Sequence, residues 1–219
     1  MTVLCPRITA VPSVETDDGT CRWNVTDEPD YQDLRETPET PPGVVADMTP
    51  ALFRSTLETP VGTLQLAVNE EGELVEILLP NRKAAAPAAA PAAVAEKGMQ
   101  VARDQLLEYF RGTRRTFDLT LKPAGSPFER QVWAKLLDVP YGATTSYGAI
   151  AAGLGLLNGA RAVGRANGSN PIPIVIPCHR VIGSDGSLTG YGGGLPLKRT
   201  LLELEGAIAP PEPLLFSTP

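Results

Sequence analysis

The residues most capable of chemistry are Cys178 and His179, which are neighbours in the run Pro-Cys-His-Arg-Val at positions 177–181. The thiolate is the nucleophilic form of cysteine, and a nearby imidazole promotes it. His179 is the single histidine of the chain, so any imidazole base for this thiol must be His179. A buried cysteine can also be a small apolar side chain without chemistry. Three prolines between positions 171 and 177 restrict the backbone, which favours a thiol held in one position for reaction.

The geometry of this pair is restricted because adjacent side chains of an extended strand point to opposite faces. Residues 174–176 (Ile-Val-Ile) predict a buried strand that leads into Cys178. His179 can therefore contact the sulfur only if the chain bends, and a bridging water is the easier arrangement. The imidazole then needs an acceptor on its other nitrogen, for which spacing leaves three candidates. These are Glu205, Asp185 and Glu203. We expect such a relay to lower the pKa of Cys178.

The elements before this region predict a small α+β unit. Short apolar stretches separated by turn residues predict an antiparallel sheet with strands at 52–57, 62–68 and 74–79. Residues 84–95 are rich in Ala and Pro, which predicts a loop or linker. A helix is expected over 99–111, ended by Gly112. Its apolar face is expected at Val101, Leu106, Leu107 and Phe110.

The second half of the chain predicts a helical unit. Ser126, Pro127 and Glu129 form a capping-box pattern at the start of a helix that residues 140–142 end. Its apolar face is expected at Val132, Trp133, Leu136 and Leu137. Two short helices, 146–152 and 160–166, joined by a glycine-containing turn, predict a helix-turn-helix. The second would present Arg161 and Arg165 on one face, and a last helix is expected over 197–204.

The charge of the chain is unevenly distributed. The net charge of −6 argues against nucleic-acid binding, but residues 1–50 alone hold three Arg and ten Asp or Glu, a balance of −7. Residues 126–206 hold seven Lys or Arg and five Asp or Glu, a balance of +2. Residues 1–48 lack periodicity and are expected to form a disordered acidic extension, and residues 207–219 a flexible tail.

Targeting and disulfide signals are absent from the sequence. No apolar run approaches the roughly 20 residues that span a bilayer, and no apolar segment follows Arg7 as in a secretory signal. Three cysteines are too few for a disulfide framework, so a cytoplasmic location is expected.

The run at 177–181 resembles the active-site signature of the O6-alkylguanine-DNA alkyltransferases, also called methylated-DNA–protein-cysteine methyltransferases. The resemblance extends from about Ser126 to Gly206. It includes the runs 126–128, 146–147, 160–164, 167–171, 190–191 and 202–206. Residues 51–122 resemble the family's ribonuclease-H-like N-terminal domain more loosely. The expected fold is therefore α+β, with this domain at 51–122 and a winged-helix-like DNA-binding domain at 126–206.

The resemblance implies roles for individual residues. Cys178 would accept the alkyl group, His179 would act through a water, and Glu205 would orient His179. Asn170 would brace the active-site turn. Tyr147 would lie beside the flipped base and assist proton transfer to guanine, and Arg161 would fill the position that the base vacates. The remaining substrate or DNA contacts would be Val181, Tyr191, Gly192 and Pro173.

Two departures from the family pattern affect the DNA-binding half. Gly192 stands where many members have Ser or Ala, which should matter little if the backbone amide lines the pocket. Residues 156–158 (Leu-Leu-Asn) replace a more polar, proline-bearing turn before the recognition helix, so the DNA contact there is open.

A zinc site known in some relatives is not expected here. Cys5 and Cys21 have no histidine partner outside the active site, so the usual tetrahedral zinc site cannot form within one chain and no metal is expected. The transfer reaction that the resemblance implies needs no cofactor.

The resemblance implies irreversible, single-turnover transfer of an alkyl group from O6 of guanine in duplex DNA to Cys178. The target base would have to be flipped out of the duplex. The expected partner of this monomeric protein is double-stranded DNA containing O6-alkylguanine, with O4-alkylthymine as a second candidate lesion and no membrane.

Other functions remain open. The main alternative is a non-enzymatic sensor of alkyl lesions, against which Cys178 argues. A helix-turn-helix regulator would have no use for the proline-braced cysteine. Adjacent Cys and His suit a thiol hydrolase poorly.

Overall fold

The computed structural model describes residues 51–80, 82 and 93–209. The predictions for residues 1–48, for residues 84–92 of the Ala-rich segment and for the tail beyond 209 lie outside these residues, as do Cys5 and Cys21.

The N-terminal half contains the predicted three-stranded antiparallel sheet. Strands β1 (Phe53–Leu57), β2 (Leu64–Val68) and β3 (Leu74–Leu78) pair in the order β1-β2-β3. Leu66 of β2 lies opposite Ser55 of β1 and Ile77 of β3, and the side chains of Leu66 and Ile77 are buried. Alternation therefore places one side of the sheet against the core.

Helix α1 (Ala93–Phe110) covers this sheet and begins six residues earlier than expected. Residues 93–95, the end of the predicted loop, are therefore helical, and the prediction is wrong there. Alanine is the strongest helix former, and Ala95 packs in the core. Val101 was wrongly placed on the apolar face and is 38% exposed. The buried face contains Ala95, Met99, Ala102, Gln105, Leu106, Tyr109 and Phe110.

The C-terminal half begins with the predicted capped helix, α2 (Pro127–Leu137). The Ser126 hydroxyl accepts from the Glu129 amide, and the Glu129 carboxylate accepts from the Ser126 amide. Val132, Trp133 and Leu136 are buried, whereas Leu137 was wrongly predicted in the core and is 51% exposed. It lies at the last position of the helix, beyond the buried stripe.

The helix-turn-helix consists of α3 (Tyr147–Gly153), capped by Ser146, and α4 (Ala160–Gly168). The Trp133 indole donates to the Ala166 carbonyl at 2.7 Å, which fastens α2 to the end of α4. Arg161 and Arg165 of α4 are both exposed.

The segment before Cys178 is a buried turn, so the prediction of a strand at 174–176 is wrong. Ile174 has φ +76° and is fully buried, which is rare for a β-branched side chain. The Asn170 side chain explains the bend, because it donates to the Ile176 carbonyl at 2.9 Å and accepts from the Ile172 amide at 3.0 Å. These two bonds replace the ladder bonds of a strand.

The chain then forms a single 3₁₀ turn, Cys178–Arg180, and the short strand β5 (Val181–Ile182). Strand β5 pairs in parallel with β4 (Thr145–Ser146), directly before α3. Helix α5 (Leu195–Leu204) completes the C-terminal half and ends beside Glu205. One continuous hydrophobic core includes residues of both halves. No helix in the described part of the chain has the length and apolar composition to cross a membrane.

Candidate active site

Cys178 is held at the first position of the 3₁₀ turn and is 4% exposed. Its amide donates to the Ile176 carbonyl at 2.8 Å, and its carbonyl accepts from the Asn167 side chain at 3.4 Å. The chain therefore bends at Cys178. The sequence analysis required such a bend if His179 was to lie near the Cys178 sulfur.

A cleft opens beside Cys178, and residues from both halves line it. Asn170, Pro173, Tyr191 and Gly192 of the C-terminal half lie around Cys178. The end of β3 and the turn that follows also line the cleft, with Glu76, Ile77, Leu78, Leu79 and Arg82. Arg82 is close to Gly192, since a Cβ at Gly192 would lie 3.2 Å from Arg82 Nη2. Five of the sequence-predicted site residues thus share one cleft.

His179 is fully buried behind Cys178, and its Nε2 lies 2.9 Å from Glu205 Oε1. Asp185 is exposed and bonds to Ser187, so among the three candidates the geometry selects Glu205. His179 Nδ1 is buried and has no hydrogen-bonding partner among the described residues. Burial lowers the pKa of His179 below its ordinary value, although the Glu205 carboxylate opposes this effect. The imidazole is therefore neutral at pH 7.

The Glu205 carboxylate is shared by several donors. Arg180 makes two bonds to it, from Nε to Oε2 at 2.8 Å and from Nη2 to Oε1 at 2.9 Å. The Tyr109 hydroxyl donates to Oε1 at 2.8 Å, and the Gly142 amide donates to Oε2 at 3.3 Å. Burial alone would raise the pKa of Glu205, but the bonds from His179 and Arg180 lower it to about 2. An ionised carboxylate only accepts, so His179 must donate its Nε2 proton and keep Nδ1 free as an acceptor.

The expected lowering of the Cys178 pKa is wrong for the protein without DNA. Burial raises the pKa of Cys178 to about 11, and the Asn170 side chain and the Lys198 charge oppose this only partly. An enclosed site disfavours the charged form of the thiol more strongly than its neighbours favour it. Cys178 is therefore a neutral thiol at pH 7.

Tyr147, Arg161 and Val181, the other residues expected to contact the substrate or DNA, do not line this cleft. Tyr147 begins α3, and its hydroxyl is 3.5 Å from the Thr189 carbonyl. Arg161 is exposed near the start of α4. Val181 is fully buried in β5 and presents its carbonyl to Lys198 at 2.6 Å.

Sequence reasoning missed three residues around this site: Arg180, Lys198 and Tyr109. Lys198 is fully buried, donates to the Val181 and Thr189 carbonyls at 2.6 Å each, and has a pKa that burial lowers to about 8. The sequence feature that could have identified Lys198 is its helical spacing, three residues before Leu201 on the buried face of α5. Tyr109 is buried on α1 although the expected apolar face did not include it, and no local pattern could show that its hydroxyl reaches Glu205.

Two protein-family models match the chain. The DNA-binding domain of 6-O-methylguanine DNA methyltransferase matches residues 127–207. The ribonuclease-like domain of 6-O-methylguanine DNA methyltransferase matches residues 52–123. Both halves of the described structure thus have a counterpart in one kind of protein.

Two named relatives and two solved structures agree with these matches. A methylated-DNA–protein-cysteine methyltransferase of Mycobacterium bovis is 56% identical over 113 residues, 52% of this chain and 68% of the relative. One from Methanosarcina acetivorans is 42% identical over 157 residues, 71% of this chain and 99% of the relative. The O6-methylguanine methyltransferase of Mycobacterium tuberculosis superposes with a TM-score of 0.63 at 43% identity, over 74% of this chain and 96% of that one. A complex of the M. tuberculosis protein with DNA gives a TM-score of 0.63 at 44% identity, over 71% of this chain and 93% of that one.

Proposed function

Because the chain belongs to the 6-O-methylguanine DNA methyltransferase family, we propose that it repairs DNA by moving an alkyl group from O6 of guanine to Cys178 in a single turnover. The observation that carries the proposal is the placement of Cys178. Its thiol lines a cleft, with His179 and Glu205 paired in the protein interior behind it. Repair by alkyl transfer to cysteine is the activity of the family, and DNA is its partner.

The first step is deprotonation of the Cys178 thiol. Both the thiol and the His179 imidazole are neutral at rest, since burial raises the pKa of Cys178 and lowers that of His179. The thiol proton passes through a water to Nδ1 of His179, whose Nε2 proton already bonds to Glu205. The adjacent carboxylate stabilises the imidazolium that forms.

Transfer follows as a displacement at the alkyl carbon. The Cys178 sulfur forms a bond to that carbon while the bond from carbon to O6 breaks, and guanine takes the electron pair of that bond. Tyr147 assists delivery of a proton to the departing guanine. A thioether is stable, so the protein is consumed by the reaction and needs no cofactor.

Access to the target requires base flipping, because O6 is shielded inside a duplex. The exposed position of Arg161 on α4 suits a side chain that enters the duplex and fills the vacated position. Asn170 holds the turn that fixes Cys178, while Val181, Tyr191, Gly192 and Pro173 line or support the base pocket. We also propose that the protein acts in the cytoplasm as a monomer.

The test is the intact mass of the protein after incubation with duplex DNA that contains O6-methylguanine. We expect wild type to gain one CH₂ unit, as a methyl group replaces the thiol hydrogen, and Cys178→Ser to bind the lesion without gaining mass. Peptide mapping identifies the modified residue. Modification of Cys5 or Cys21 would reject the assignment, and lesion binding by wild type without mass gain would identify a damage sensor instead.

A further inference from the structure

Tyr109 of α1 links the N-terminal half to the proposed proton relay. The Tyr109 hydroxyl donates to Glu205 Oε1 at 2.8 Å, and the same oxygen lies 2.9 Å from His179 Nε2. The side chain of Tyr109 is fully buried. Burial raises the pKa of Tyr109 well above its ordinary value, so the hydroxyl keeps its proton and can only donate to the carboxylate.

The packing of Tyr109 does not require a hydroxyl. Its ring contacts Phe110, Phe117 and Tyr141, with centroid distances of 5.3, 5.5 and 6.1 Å. A phenylalanine ring could make these aromatic contacts as well. The hydroxyl therefore has one specific contact, the Glu205 carboxylate, and its effect can be separated from packing.

We propose that Tyr109 is a positioning residue for alkyl transfer, through which the ribonuclease-like half sets how strongly Glu205 supports His179 as a base. Oε1 receives donors from Tyr109, His179 and Arg180, which compete for the negative charge of one oxygen. A strong bond from Tyr109 leaves less of that charge to stabilise the imidazolium of His179. The inference rests on the proposed role of His179 as the base.

Other titratable or charged groups around this pair set the background against which Tyr109 acts. Arg180 and Lys198 act directly on His179, and Arg180 also acts on Glu205. Tyr141, Tyr191, Cys178 and Arg115 interact electrostatically with Glu205, with Lys198 or with one another. Arg180 and Lys198 both lower the pKa of His179, so the site without Tyr109 would still hold a weak base. Tyr109 then adjusts this base and does not create it.

The test uses the single histidine of the chain, whose imidazole nitrogens can be observed without ambiguity by NMR after ¹⁵N labelling of histidine. We expect Tyr109→Phe to raise the pKa of His179 by up to about one unit, because the Glu205 carboxylate then has one donor fewer and stabilises the imidazolium more strongly. We expect the acid limb of the pH–rate profile for transfer to move to higher pH by the same amount. Loss of packing alone would slow transfer without moving either value.

Tyr141→Phe is the matched control. Tyr141 lies against Tyr109, but its hydroxyl donates to the Leu204 carbonyl at 3.0 Å and not to a carboxylate. This variant should leave the pKa of His179 unchanged. Replacement of Tyr109 by 3-fluorotyrosine, whose phenol is a stronger donor, should lower the pKa of His179 and gives a second reading should Tyr109→Phe fail to fold.

The outcomes separate this inference from the proposed function. An unchanged His179 pKa in both Tyr109 variants, or an equal shift in Tyr141→Phe, would overturn the role of Tyr109. The NMR measurement needs no alkyl transfer, so a shifted pKa without methylation of Cys178 would leave the Tyr109 coupling intact and reject the transfer reaction.

Discussion

The carboxylate of Glu205 combines two tasks at the scale of single residues. It neutralises the buried guanidinium of Arg180, and it accepts the Nε2 proton of His179. A buried charge without a partner is strongly unfavourable, so the first task concerns stability. In the proposed mechanism the second concerns catalysis, because the carboxylate would stabilise an imidazolium that exists only after the thiol proton has left.

Glu205→Gln should therefore reduce both stability and transfer rate. Loss of the partner of Arg180 should cost about 3–5 kcal/mol in the free energy of unfolding at pH 7. Denaturant titration measures this change. Since the folded state lowers the pKa of Glu205 to about 2, its contribution is present above the ordinary pKa of glutamate and is lost as pH falls toward 2. The stability of the variant should therefore fall less between the ordinary pKa of glutamate and pH 2 than that of wild type. Its transfer rate should be lower than that of wild type.

Glu203→Gln is the control for this prediction. Glu203 lies two residues earlier, and its ion pair with Arg199 is 3.7 Å long and partly exposed. Its replacement should change the free energy of unfolding by less than about 0.5 kcal/mol. Equal losses in the two variants would show that Glu205 has no special role in the fold.

Among the elements, helix α4 places the side chain proposed to contact DNA and the side chain that holds Cys178 on different faces. Helix α4 carries Arg161 on an exposed face, while Val163 and Ala166 are buried and the Ala166 carbonyl accepts from Trp133 of α2. Cys178 is attached to the end of the same helix through Asn167, which donates to the Cys178 carbonyl. One element can thus hold the nucleophile and present a side chain to DNA on different faces.

Arg161→Ala should slow repair of duplex DNA but not reaction with the free base O6-benzylguanine. Flipping costs a few kcal/mol, and a side chain that offsets about 2 kcal/mol changes the flipped population about thirtyfold. Single-turnover kinetics on both substrates measure the effect. Arg165→Ala, on the same helix and also exposed, should lower duplex affinity without the thirtyfold loss in rate. Equal slowing of Arg161→Ala on duplex and free base would assign Arg161 to the fold or the pocket.

Local sequence signals determine much of these elements but not the active-site turn. The capping box at Ser126 and the three short apolar strands bounded by turn residues are local signals, so the sequence predicted them. The turn at 174–176 was mistaken for a strand because its β-branched residues favour strands, while the side chain of Asn170 imposes the bend.

Long-range contacts at the site were also beyond prediction from spacing. Tyr109 and Glu205 are 96 residues apart, and Arg180 is 25 residues from Glu205. Tertiary packing brings α1, the 3₁₀ turn and the end of α5 together around Glu205. The sign of the Cys178 pKa shift was missed for the same reason, since it follows from burial by distant elements.

The charge of the whole molecule is unevenly distributed along the chain, and the active site gives no reason for this. Residues 1–50 have a balance of −7, whereas residues 126–206 have a balance of +2. Attraction between phosphates and basic side chains governs DNA association and weakens as salt rises. We therefore expect the acidic segment at residues 1–50 to oppose the approach to DNA.

Deletion of residues 1–45 should speed DNA association at low salt and leave the transfer chemistry unchanged. The repulsion acts over about 10 Å at 0.1 M ionic strength, so the advantage of the deletion variant should shrink as salt increases. Stopped-flow binding to a labelled duplex measures the association rate, and reaction with O6-benzylguanine measures the chemistry. A full-length control with the nine Asp and Glu residues of this segment changed to Asn and Gln separates charge from length. If that control associates as slowly as wild type, the effect of the segment is steric; if deletion abolishes folding, the segment is part of the folded structure.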